Sequence, residues 1–118
     1  MKLTHFIALA VIIVACSYLM NLLNTISHED IHQKIFDDYN IPSNITINYW
    51  TGSGYTDAHY NTSACNEMCH YQHNMNEIVG YPMTFLINTI FLALILILAI
   101  IYVKDAGEVI ENEKHRRR

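Results

Sequence analysis

The sequence predicts a small membrane protein with a single C-terminal transmembrane helix and a short α+β luminal or extracellular segment, a helix plus a β-hairpin. Three observations carry this expectation. Of the 118 residues, 52% are hydrophobic and only 15% charged, which excludes a disordered tail and fits at most one ordinary domain. All ten Leu lie at positions 3 to 23 and 86 to 98, so two apolar ends flank a lean middle. The stretch from Met83 to Val103 runs 21 residues with no polar side chain but Thr84, Asn88 and Thr89.

As a helix this second stretch is about 31 Å long, the thickness of a bilayer's hydrocarbon core. Tyr81 precedes it, and Tyr102 and Lys104 close it, as amphipathic and cationic residues do at membrane interfaces. A buried helix in a soluble core would need a larger surrounding domain than the remaining residues can build.

The first stretch supports two readings. Lys2 and His5, the apolar core Phe6 to Ala15, and small residues at Ala15 and Ser17 describe a signal peptide of residues 1–17. Uncleaved, residues 6–23 make an anchor just long enough to span. Ile13, Val14, Ala15 and Cys16 also look like a short lipoprotein box. The layout that follows is a leader at 1–17 or an anchor at 6–23, an outward segment at 18–82, a span at 83–103 and a cytoplasmic tail at 104–118.

Cation placement sets the expected orientation. Between Asn24 and Pro82 stands one cation, Lys34, against seven acids, whereas Lys2, Lys104, Lys114, Arg116, Arg117 and Arg118 lie at the two ends. The positive-inside bias puts the middle in the lumen or outside the cell and the C-terminus in the cytoplasm. The net charge of -4 disfavours a nucleic-acid partner, because phosphate binding runs on clustered cations.

Within the middle, Ser27 is placed to cap a helix reaching Tyr39, with Ile31, Ile35 and Tyr39 on one face and a stop at Asn40, Ile41 and Pro42. Ile45, Ile47 and Tyr49 alternate with Thr46, Asn48 and Trp50, a strand period, and Thr51 to Gly54 supply turn chemistry before a returning arm at Tyr55 to Tyr60. From Ser63 to Val79 a short helix or an ordered loop leads into the span.

Two sequons, at Asn44 and Asn61, are expected glycosylation sites in the outward segment. Cys65 and Cys69 form an even pair once a leader carrying Cys16 is removed, bridged within the chain, bridged to a partner chain, or left as free or metal-bound thiols. Asn88 is the one strong hydrogen-bonding side chain in the span and is expected at a helix interface. Arg116, Arg117 and Arg118 resemble arginine-type endoplasmic-reticulum retention signals.

His28, Glu29 and His32 match His-Glu-x-x-His, in which a helix aims two His at zinc and the Glu activates water. Three features weigh against catalysis: no sheet precedes the helix, Asp30 carries a charge inside the motif, and no third ligand lies nearby along it. Cys65, Met68, Cys69, His70, His73 and Met75 form a soft-ligand cluster, but on a continuous helix Cys65 and His73 would be about 12 Å apart. The expectation is therefore no metal, no cofactor and no enzymatic activity.

The function expected is that of a small type I single-pass membrane glycoprotein acting through protein–protein interaction, as a viral envelope accessory protein or an auxiliary subunit of a membrane complex does. Its partners would be the lipid bilayer and another membrane or surface protein, or a second copy of itself. Tyr39, Tyr49, Trp50, Tyr55, Tyr60 and Tyr71 are side chains suited to such an interface. The alternatives are a two-span viroporin-like pore and a membrane metal-binding protein. The chain is expected to sediment with membranes through an alkaline carbonate wash and to be released only by detergent; recovery in the wash would remove the span on which this layout rests.

Overall fold

A computed structural model of the chain describes residues 2–58 and 64–116. Helix α1 spans Leu3–Asp38, strands β1 and β2 span Ser43–Asn48 and Ser53–Ala58, and helix α2 spans Glu67–Arg116. Two compact units are present, one of residues 1–17 with 88–118, the other of residues 18–87.

The single C-terminal span is the main correction. Two helices, not one, are long and apolar enough to cross a membrane, and they lie at the two ends of the chain. The expected break at Ser27 does not occur. No Gly or Pro precedes Pro42, so nothing interrupts the helix between the apolar run and the motif carrying His28 and His32. Ser27 is an interior residue of α1, and the ambiguous stretch after Ser63 enters α2 at Glu67.

In the unit of residues 1–17 and 88–118, Phe6 packs its ring on Tyr102 at 4.6 Å. In the most apolar window of each long helix, 0% of the residues in α1 and 6% in α2 are fully buried. Phe6, Ala10, Ile13 and Ser17 on α1 and Phe91, Ile95, Leu98 and Tyr102 on α2 are half-buried at helical spacing, and the residues between them are mostly exposed.

In the unit of residues 18–87, the two helices run antiparallel, as four successive contacts show. Asn24 Nδ2 donates to Thr84 Oγ1 at 2.9 Å, Asn76 Nδ2 donates to the His28 carbonyl at 3.0 Å, His32 meets His73, and Phe36 packs on His73 with ring centroids 4.3 Å apart. Pro82 lies inside α2 and removes one backbone donor, while the nearby Thr84 hydroxyl donates to the Gly80 carbonyl at 3.3 Å.

Helix α1 ends in a Schellman motif. Asn40 takes the left-handed conformation with φ 55°, Asn40 N–H donates to Asp37 O, and Ile41 N–H reaches back to Phe36 O at 2.9 Å. That turn buries Ile41 to 2% exposure beside Ile35, Cys65 and Cys69, with Phe36 and Tyr39 packed around them. Pro42 then starts the lead into the hairpin.

The expected hairpin is present. β1 and β2 pair antiparallel from Ser43 opposite Ala58 to Asn48 opposite Ser53. Asn48 Oδ1 accepts from Trp50 N–H and Thr51 N–H, and Gly52, at φ 69°, closes the loop by donating to Asn48 O at 2.9 Å. Ile45 and Ile47 point inward and Asn44 outward. The hairpin is held to α1 by Thr25 Oγ1 donating to the loop carbonyl of Gly52 at 2.7 Å and by Thr56 of β2 at Glu29. Gly54 permits the approach: a Cβ there would meet Ile47 Cδ1 at 2.7 Å and Glu29 Cγ at 3.1 Å.

Asn66 caps α2, its Oδ1 accepting from Cys69 N–H at 3.1 Å. Cys65, just outside the helix, is bonded to Cys69 in its first turn. Burial of Ile35 or Ile41 is worth about 1.5–3 kcal/mol each, and closing so short a loop about 2 kcal/mol. Replacing Cys65 and Cys69 together with Ser is expected to lower the stability of this unit by about 2 kcal/mol, read as a lower denaturant midpoint of the chain in detergent; an unchanged midpoint would show that the bridge constrains nothing.

Candidate metal centre

The antiparallel contact between α1 and α2 brings together three side chains from distant parts of the sequence. His28 and His32 are one turn apart on α1, and Glu77 reaches them from α2. His32 Nε2 lies 3.0 Å from Glu77 Oε1 and 3.2 Å from His28 Nε2, and His28 Nε2 lies 3.5 Å from Glu77 Oε2. A tetrahedral ion with bonds of 2.0–2.2 Å has ligands separated by roughly 3.3–3.6 Å. The spacing found is close to that of a coordination shell.

Proton counting points the same way. His32 Nδ1 meets Nδ1 of His73 at 2.5 Å, and one proton serves that pair. When His32 Nδ1–H is the donor, His32 Nε2 is left with a bare lone pair facing His28 Nε2 and the Glu77 carboxylate, the arrangement a divalent cation requires. Burial, then the neighbouring charges of His32 and His70, push His73 below the usual imidazole range against an upward pull from Glu77. Two other ring nitrogens, His28 Nδ1 and His73 Nε2, are buried with no hydrogen-bond partner.

The triad opens on a cavity of about 490 Å³ whose lining includes His28, Glu29, His32, Thr56, Glu77 and Tyr81. Glu29 is buried to 6% exposure, and the Thr56 hydroxyl donates to its Oε2 at 2.8 Å. One hydroxyl occupies only part of a carboxylate's roughly four lone-pair sites. Gly80 lies against the far side of the His28 ring, so close that any Cβ there would overlap it.

The sequence missed Glu77 because 45 residues separate it from His32 and only the chain reversal joins them. The objection that no third ligand lies nearby is corrected by that contact. Asp30, the charge inside the motif, is paired with Lys34 on the exposed side of α1 and does not enter the site. A sheet is present as well, although it follows the helix.

The second cluster also departs from expectation. Because α2 begins at Glu67, Cys65 is not a helical residue and folds back, so Cys65, Cys69 and His73 place ligand atoms within 4.8 Å of one another. The two sulfurs are joined, however, and a disulfide presents no thiolate to a metal.

The remaining sequence-derived residues lie apart from this centre. Asn44 is exposed on β1, Asn88 lies on α2, and Arg116 is its last residue. Asn61, Arg117 and Arg118 lie outside the described residues. Comparison with protein-family models, curated proteins and solved structures gives no match.

Gly80→Ala is expected to displace the His28 ring and weaken zinc binding by about 10–100-fold, the usual cost of disturbing a ligand's supporting shell. Competition against a fluorescent zinc chelator measures it. An affinity within twofold of the unaltered chain would mean that His28 is not a ligand in this position.

Proposed function

We propose that the chain is a small membrane-anchored protein whose working part is a divalent-metal centre of the zinc type, held by His28 Nε2, His32 Nε2 and Glu77. The carrying observation is the convergence of two imidazole nitrogens and a carboxylate within 3.0–3.5 Å. Imidazole with carboxylate is a donor set that suits zinc and neighbouring transition metals. The two long apolar helices supply the anchor, with residues 24–82 outward and the cationic ends inward. Asn44, exposed on β1, suits the glycan expected in that orientation.

Protein–protein interaction remains a second reading, favoured by one observation. At the hairpin tip Trp50 is 95% exposed, flanked by exposed Tyr49 and Tyr55, an arrangement that leaves large aromatic area to be covered.

The test is metal retention by the full chain purified in mild detergent, stripped with a chelator and reloaded with zinc or cobalt. One ion per chain is expected after dialysis, with the visible bands of low-coordinate cobalt. His28→Ala, His32→Ala and Glu77→Ala should each abolish retention. Zinc lost from the unaltered chain, or kept equally by His32→Ala, would overturn the assignment.

A further inference from the structure

We infer that the metal centre hydrolyses peptide bonds, with Glu29 as the general base and β2 as the rail on which an extended polypeptide substrate lies. The inference rests on the metal-centre reading above and adds a reaction to it.

Four observations combine. First, among the described residues the site offers three ligands, not four. Structural zinc sites are closed by four protein ligands, whereas hydrolytic sites keep a position for water, and two His with one Glu is a hydrolytic set. Second, the open side is a cavity of about 490 Å³, large enough for part of a substrate. Third, Glu29 follows the first ligand in sequence, lines the same cavity and is buried, its carboxylate steadied by Thr56. Fourth, Ser53 to Thr56 of β2 line that cavity too, and among the described residues β2 pairs only with β1. An unpaired strand edge takes an extended peptide by main-chain hydrogen bonds, which selects a polypeptide over a small ester or phosphate. Gly54 brings this strand against Glu29, placing the rail beside the base.

The bound ion supplies a Lewis acid that acidifies water and polarises the substrate carbonyl. The Glu29 carboxylate removes a proton from the water, whose oxygen bonds to the carbonyl carbon. Glu29 then returns that proton to the amide nitrogen as the carbon–nitrogen bond breaks. One water is consumed, and a carboxylic acid and an amine are released.

The experiment uses the zinc-loaded full chain in detergent with a quenched fluorescent peptide library of mixed sequence, cleavage sites being read by mass spectrometry. Cleavage is expected, removed by 1,10-phenanthroline and restored by zinc. Glu29→Gln should retain zinc as the unaltered chain does while kcat falls about 10²–10⁴-fold, the usual range for loss of a general base, with KM little changed. His32→Ala should lose zinc and cleavage together. A chain that holds zinc but cleaves no member of the library overturns the hydrolytic inference and leaves the metal centre standing. Full activity in Glu29→Gln overturns the role of Glu29, and failure to hold zinc overturns the earlier reading instead.

Discussion

The antiparallel seam between α1 and α2 is the contact on which the rest of the unit of residues 18–87 depends. Asn24 with Thr84, the His28 carbonyl with Asn76, His32 with His73 and Phe36 with His73 fix one register between the helices. A slip of one turn would carry Glu77 about 5.4 Å from the His pair. The seam is mostly polar, and such contacts specify alignment more than they add stability, each being worth about 0.5–1.5 kcal/mol net.

Stability must then come from elsewhere, and the sources are few. Ile35, Ile41 and the bonded Cys65 and Cys69 form the core, with Cys69 fully covered. A core of this size supplies about 3–5 kcal/mol at best. Against it stand Glu29 and His32, ionisable groups that are costly to bury without compensation. Structural zinc in small peptides contributes about 10–16 kcal/mol, and even a fraction of that outweighs the apolar core. In this unit the imidazoles and carboxylates sit where hydrophobic side chains would otherwise be needed, so under the proposed function folding and metal uptake would be coupled.

Much of the architecture was legible in the sequence, because local signals dominate it. The apolar run from Met83 to Val103, the alternation at Ile45 and Ile47, the turn glycine at Gly52 and the stop at Asn40 and Pro42 each act over a few residues. The boundary at Ser27 was misjudged, since a capping side chain has no effect where the preceding residues remain helical. The centre itself was only half legible. Spacing of four residues revealed His28 and His32, but Glu77 carries no local mark, and its place depends on a reversal through the hairpin. The Cys65 and His73 distance was misjudged for a related reason, the helix beginning two residues after Cys65.

The bridge between Cys65 and Cys69 has a consequence for where the protein can work. Cys69 is one turn before His73 on α2, and His73 supports the imidazole of His32. Glutathione at cytosolic strength would free two thiols beside that supporting ring, and sulfur ligands compete strongly for zinc. The proposed ion would then have a rival seat on the other side of His73. An oxidising surrounding, by keeping the sulfurs tied to each other, leaves the imidazole and carboxylate seat without competition.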